Sequence, residues 1–214
     1  MPGSSPGMTG RGCFAKLAFR EGSDFIAIWN SPMSLIRPRD VLDFWFNAGP
    51  DKWFDKNDAF DAEVRRRFGE AVKLAASGRY DEWAKEPESA LALVILLDQF
   101  TRNIYRNDHR AWAADAKALA LSREAIARRF DITLPEPARR WLYMPFMHAE
   151  DLAAQEEGLK YFAERLNDPE TMKFAEIHAD IIRRFGRFPH RNAVLGRATT
   201  QEEQSFLDEG GFKG

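Results

Sequence analysis

Apolar residues recur every three or four positions along most of this chain, and prolines and glycines interrupt the recurrence at short intervals. Such spacing places apolar side chains on one face of a helix, whereas a strand needs strict alternation. Convincing alternation is missing after residue 30. The pattern predicts an all-α fold of about six to eight helices, and the short Pro/Gly connections favour antiparallel neighbours in a helical-hairpin array.

Capping residues and helix breakers predict where these helices begin and end. The expected helices cover about 38–48, 57–76, 88–105, 110–130, 135–144, 149–166 and 169–186, with a last short one from 201. Asn57 is a predicted N-cap, and Thr200 with Glu203 fits a capping box. Pro145 is expected to break the fifth helix, because proline lacks the backbone N–H that a helix interior uses.

Residues 1–32 differ from the rest of the chain, since they have the composition of turns and linkers and no helical period. We expect a disordered N-terminal extension, which a start codon assigned too far upstream would explain. A targeting peptide is the alternative, but the Arg-rich amphipathic pattern of such peptides is missing. Residues 33–214 are expected to form a single all-α domain.

Composition narrows the classes of function. The chain has 31 basic and 33 acidic residues and a net charge of −2, which argues against general nucleic-acid binding. Its one cysteine, Cys13, excludes an intramolecular disulfide framework and a multi-cysteine zinc site. Apolar runs are too short for a membrane helix and a signal peptide is not recognisable, so we expect a cytoplasmic protein with no membrane partner.

The first candidate segment follows a long apolar run on the third predicted helix. Asp98 comes directly after Ala90–Leu97, so its carboxylate is expected to be half buried and to need a partner. Arg102 lies four residues on, and Gln99 with Asn103 offers a second polar pair at the same spacing. One interpretation is a salt bridge and amides that tie helix ends together. The other makes Asp98 a general base or ligand holder and Arg102 a clamp for carboxylate or phosphate.

The second candidate segment surrounds His148, which follows the Pro145 break. Glu150 and Asp151 are expected in the first turn of the next helix, where the helix dipole favours acidic residues. The functional interpretation pairs His148 with Glu150 as acid and base, or as ligands.

The third candidate segment is a loop rich in hydrogen-bond donors, which contains Arg187, His190, Arg191 and Asn192. These residues lie beyond the expected end of a helix, so the helix dipole does not explain them. They suit an anion such as a phosphate or carboxylate. The alternative is that the arginines pair with acidic residues of the other segments. His178 lies on an apolar stripe and is interpreted as a hydrogen-bonded core residue.

The sequence predicts no metal and no cofactor. It has no His-Glu-x-x-His pattern and no cluster of cysteines and histidines. It also has neither a glycine-rich phosphate loop nor Gly-x-Ser-x-Gly.

Four separated blocks of the sequence resemble an uncharacterised bacterial family called domain of unknown function 924. The blocks are 41–46, 97–106, 143–152 and 184–192. The resemblance covers about residue 37 to the C-terminus and implies an all-α fold similar to tetratricopeptide-repeat superhelices, with no established activity. Thr101 departs from the proline expected after Gln99-Phe100, so the helix is expected to continue through it.

Three functions remain open on the sequence alone. The favoured one is a binding module, whose groove, lined by Arg, His and Asp side chains, takes a small anionic ligand or an acidic peptide. The alternative is an enzyme on a small anionic substrate, with Asp98, His148 and Glu150 as acid and base. The third is RNA binding through the Arg/Phe loop, which the net charge opposes. The sequence leaves the oligomeric state undetermined.

Overall fold

The computed structural model describes residues 36–212, and within that range it contains helices and turns but no strand. The predicted all-α fold is therefore confirmed. Among these residues, eight helices are eight residues or longer, which agrees with the predicted number. The predictions for residues 1–32 lie outside the described residues, and the domain boundary near residue 33 stays a prediction.

The α-helices follow one another with short connections. They are α1 (Pro38–Ala48), α2 (Pro50–Trp53), α3 (Asp58–Ala76), α4 (Pro87–Ile95), α5 (Thr101–Ile104), α6 (Asp115–Ala127), α7 (Phe130–Thr133), α8 (Glu136–His148), α9 (Leu152–Arg165), α10 (Pro169–Phe185) and α11 (Gln201–Asp208). A π-helical segment, Leu96–Phe100, joins α4 to α5. Short 3-10 helices are Asp81–Lys85, His109–Ala111 and Pro189–Arg191.

Several helix ends form as their capping residues predict. Asn57 Oδ1 accepts a hydrogen bond from the Phe60 amide at 2.9 Å, and Thr200 and Glu203 form the capping box of α11. Gly186 ends α10 with a φ of 68°, a conformation that costs glycine little.

Several predicted boundaries are wrong. The fourth expected helix, 110–130, is shorter in the structure, where α6 covers Asp115–Ala127. Pro145 lies inside α8, which continues to His148. Proline costs a helix interior about 3 kcal/mol, but Tyr143–Met147 are all buried, and we attribute the continued helix to that packing. The sixth predicted helix also begins later, since Asp151 is the N-cap of α9. Glu150 therefore precedes the helix, and the helix dipole does not explain its presence.

The core is built around α4. Leu91–Leu97 are fully buried, and α4 packs against α1, α6 and α8. The helix then continues through the π-helical segment and Thr101 into α5, as the threonine predicts. A π-helical turn inserts a residue into the helix and is often found at functional sites. Here it contains Asp98.

The helices α8, α9 and α10 pack side by side in chain order. Gly158 of α9 lies so close to α8 that a Cβ atom there would stand 2.6 Å from Phe146 Cβ. The likeness to tetratricopeptide-repeat superhelices stays a prediction. None of the helices in residues 36–212 is both long enough and apolar enough to cross a membrane.

Candidate functional site

The structure joins the first and second candidate segments through one carboxylate. Asp98 is fully buried, and His148 Nδ1 lies 2.8 Å from its Oδ1 and 3.0 Å from its Oδ2. Gln99 Nε2 donates a hydrogen bond to Asp98 Oδ2 at 2.6 Å. A buried carboxylate is costly unless its oxygens are paired, and both oxygens of Asp98 have partners. The π-helical turn and the end of α8 thus hold these side chains together.

Arg102 links this pair to a second carboxylate. Its Nη1 lies 3.3 Å from Asp98 Oδ1 and donates to the Asp98 carbonyl oxygen. Its two terminal nitrogens also donate to the two oxygens of Asp115, at 3.1 and 3.0 Å. The predicted contact between Asp98 and Arg102 is confirmed, but the bidentate pair of hydrogen bonds from the guanidinium goes to Asp115.

The environment keeps Asp98 ionised and His148 neutral. Burial opposes ionisation of Asp98, but His148, Arg102 and the hydrogen bonds from His148 and Gln99 outweigh it and lower the pKa of Asp98 to about 2. Burial, followed by the positive charge of Arg102, lowers the pKa of His148 below its ordinary value. An ionised carboxylate only accepts hydrogen bonds, so the proton of neutral His148 is on Nδ1 and its Nε2 carries a lone pair.

His148 lies in the wall of an open cavity. Among residues 36–212 its recorded hydrogen bonds are made by Nδ1 and not by Nε2, and 13% of the side chain is exposed. The cavity has a volume of about 530 Å³, which is typical of small-molecule sites. The polar residues of the cavity wall are His109, Asp115, His148, Glu150, Asp151 and Arg191.

Arg191 is a buried cation with few partners. Only 6% of it is exposed, and its guanidinium lies over the rings of Phe188 and Trp112, at 4.4 and 5.4 Å from their centroids. Of the five guanidinium N–H groups, only one, on Nη2, donates a hydrogen bond within the described residues, to the His148 carbonyl oxygen at 3.1 Å. Nη1 lies 3.7 Å from Asp115, and the buried Nε has no partner. Burial and the charge of Arg102 lower the pKa of Arg191 to about 10, so it stays positive near pH 7.

Glu150 has a structural partner. Arg197 binds its two oxygens at 2.6 and 2.9 Å, and the Phe188 amide donates to Oε1 at 2.8 Å. Burial raises the pKa of Glu150, but Arg197 and the Phe188 amide outweigh it and leave the pKa below its ordinary value. Glu150 and His148 both line the cavity, but Glu150 fixes the loop that carries Phe188 and Arg191.

Of the predicted anion ligands, Arg191 lines the cavity, whereas Arg102, Asn103, Arg187, His190 and Asn192 do not. Arg187 donates to the two oxygens of Glu203 at 2.6 and 2.9 Å. Asn192 Nδ2 donates to Glu203 Oε2 at 3.2 Å. Here the alternative interpretation, arginines paired with acidic residues, describes the contacts. The acidic partner, however, is Glu203 of the α11 capping box, and not an acidic residue of the other two candidate segments.

The remaining candidate residues also have partners or lie in the core. Asn103 Nδ2 donates to Asp61 at 2.8 Å, so the predicted pairing of Gln99 with Asn103 does not form. His178 is buried and its Nδ1 lies 2.7 Å from the Phe174 carbonyl oxygen, as expected for a core histidine. The His190 ring lies 5.6 Å from Phe188, and its buried Nδ1 has no partner among the described residues.

Sequence reasoning missed Asp115 and the structural role of Arg197. Asp115 begins α6, and the expected helix began earlier, at about residue 110, which hid the change from loop to helix. Arg197 lies beyond the dense donor loop, so spacing gave no signal. Within residues 36–212, no three His, Cys, Asp or Glu side chains are grouped so that they could hold a metal ion.

A larger cavity, of about 700 Å³, lies between α1 and α3. Its charged residues include Asp40 and Glu63, which are bound by arginines on the surface. It contains no histidine. It therefore lacks the acid–base pair that marks the cavity at His148.

Comparisons with known proteins agree with this picture of the fold. The family model described as "Bacterial protein of unknown function (DUF924)" matches residues 41–211. A solved structure of a protein of unknown function from Agrobacterium tumefaciens is 46% identical, and the match covers 81% of this chain and 97% of that chain with a TM-score of 0.78. No curated protein matches this sequence.

Proposed function

The chain belongs to the bacterial DUF924 family, and we propose that it is an enzyme that hydrolyses a small anionic substrate by general acid–base catalysis. The observation that carries the proposal is the pair formed by His148 and buried Asp98, whose atoms lie 2.8 Å apart. A histidine that is neutral near pH 7, oriented by an ionised carboxylate and open to a cavity is suited to take up a proton.

The nucleophile in this proposal is a water molecule. Among the described residues, the cavity wall contains no serine, threonine or cysteine that could attack a substrate. In a hydrolytic step, His148 Nε2 accepts one proton of water while the remaining hydroxide bonds to the electrophilic carbon. Protonated His148 then gives that proton to the leaving group as its bond to carbon breaks. Asp98 stays ionised and stabilises the transient imidazolium.

Arg191 is the residue assigned to the anionic part of the substrate. Its unused N–H groups and its burial make it a strong donor to a carboxylate or phosphate. Arg102 has a different role, since Asp115 and Asp98 occupy it. We assign it to holding both carboxylates in place.

A binding module for a small anion is the second candidate function. The unused N–H groups of Arg191 support this function as well, because a buried cation with unused donors is stabilised by an anion whether or not a reaction follows. It leaves the pairing of Asp98 with His148 unexplained, since binding alone does not require an oriented neutral imidazole.

The test is hydrolysis of two nitrophenyl esters by the purified protein. One, the mono-nitrophenyl ester of glutaric acid, carries a free carboxylate, and the other, nitrophenyl butyrate, is neutral. We expect faster hydrolysis of the anionic ester and loss of activity in His148→Gln. As matched control, His109→Gln changes an exposed histidine of the cavity wall that binds Asp108. Equal rates for wild type and His148→Gln would refute the proposal.

A further inference from the structure

The cavity beside His148 has an apolar wall next to the Arg191 guanidinium. Trp112, Ala116 and Leu119 contribute to it from the start of α6 and the turn before it, and Leu195 adds to it after Arg191. The Arg191 guanidinium lies 5.4 Å from the centroid of the Trp112 ring. A group bound to Arg191 would therefore have its neighbouring atoms beside this apolar wall.

The other cations near the cavity are already neutralised. Arg102 binds Asp115 with two hydrogen bonds, and Arg197 binds Glu150 with two. Arg191 is left with a single hydrogen bond and a 3.7 Å contact to an oxygen that Arg102 already holds. A buried guanidinium in this state is stabilised by added acceptor oxygens.

We infer that the substrate is a small organic acid with an apolar body, whose acid group binds Arg191 and whose body packs on Trp112, Leu119 and Leu195. The inference rests on the proposed function, because it assigns a substrate class to the same cavity. It goes further by requiring a hydrocarbon or aromatic portion beside the acid. The space of about 530 Å³ is large enough for such a molecule.

Unreactive acids test the inference without any reaction. Isothermal titration calorimetry is run with acetate, butyrate and hexanoate, and with hexanol, hexylamine and inorganic phosphate. Each methylene group that leaves water should tighten binding by about fourfold. Hexanoate should therefore bind far more tightly than acetate. The affinity for hexanoate should also exceed the affinities for hexanol, which lacks the acid group, and for phosphate, which lacks the apolar body.

Two variants locate the binding. Arg191→Gln should weaken hexanoate by about tenfold or more, because a charge-assisted contact is lost. Its control, Arg183→Gln, changes an exposed arginine of α10 that binds Asp180. Ala116→Trp should block the cavity from an exposed position on α6, and Ala120→Trp is its control, since Ala120 is exposed on α6 but outside the wall.

Several results would overturn the inference. Affinity independent of chain length, tighter binding of hexylamine or hexanol, or unchanged hexanoate binding in Ala116→Trp would each do so, even if Arg191→Gln fails to fold. The proposed function fails separately. If hexanoate binds as expected while hydrolysis does not need His148, the cavity is a binding site and not an active site. If hydrolysis needs His148 but affinity ignores charge and chain length, only the substrate class is wrong.

Discussion

Replacing Asp98 by asparagine keeps the shape of the side chain and removes its charge. In the native protein, the Asp98 carboxylate accepts a hydrogen bond from Gln99 Nε2 at 2.6 Å and one from His148 Nδ1 at 2.8 Å. An asparagine has one acceptor oxygen and one donor nitrogen, so it cannot accept from both at its two ends. Either a buried N–H loses its acceptor, or His148 changes tautomer and accepts from the new amide.

The first outcome lowers the free energy of unfolding, and the second lowers the rate of hydrolysis. An unpaired buried donor and a less compensated Arg102 should lower the free energy of unfolding by about 2–4 kcal/mol. The loss stays at this level because Arg102 keeps two hydrogen bonds to Asp115. A tautomer change costs less stability, but it puts the proton on Nε2 and should reduce hydrolysis by about 10⁴-fold, as for the corresponding substitution in serine proteases.

Urea unfolding and ester hydrolysis measure these effects in the same preparation. Asp61→Asn is the matched control, since Asp61 is also buried and binds Asn103 and Arg106 away from the cavity. The control should lose stability and keep its hydrolytic rate. Asp98→Asn protein that is as stable and as active as wild type would refute the reasoning.

Four further substitutions separate structural from functional residues. Gly158→Ala should lower the free energy of unfolding by about 1–3 kcal/mol, because the new Cβ would lie 2.6 Å from the Phe146 side chain. Gly69→Ala in α3 is its control, since a Cβ there has no contact closer than 3.9 Å, and it should raise the free energy of unfolding by about 0.5–1 kcal/mol. Thermal unfolding measures both. Arg187→Ala should lower stability in urea, because Glu203 loses two hydrogen bonds, and should leave hexanoate affinity unchanged. Weakened binding in a folded variant would contradict our placement of that residue outside the cavity. Burial lowers the pKa of His178 from 6.5 to about 3, so the unfolded chain binds a proton that the native protein does not, and stability falls as the pH is lowered through this window. His178→Phe should therefore lose less stability than wild type between about pH 7 and about pH 4, and equal losses would show that another group controls the acid sensitivity.

Much of the fold could be predicted because local signals determine helices and their ends. The periodic apolar stripes predict α3 and α10, and Asn57 and Thr200 mark helix starts through hydrogen bonds to residues only three positions away. The expected break at Pro145 fails for the opposite reason. Buried packing against other helices, which no local pattern contains, decides that α8 continues.

The site could be predicted in its parts but not as an arrangement. Burial and spacing draw attention to Asp98 and Arg102, and the proline before His148 draws attention to that residue. The contact between Asp98 and His148 joins residues 50 positions apart, and only tertiary structure brings them to 2.8 Å. The donor loop shows the same limit, since Arg187 and Arg191 look alike in sequence. One is neutralised by Glu203 and the other remains at the cavity.

Nitrogen-15 NMR of the imidazole rings tests the central claim most directly. The chain has four histidines, so the spectrum is simple, and His148→Gln identifies the resonances of His148. We expect a neutral ring near pH 7, with the proton on Nδ1 and an unprotonated Nε2, and with a pKa below the ordinary 6.5. A proton on Nε2, or a doubly protonated ring at neutral pH, would contradict the assignment of His148 as the general base.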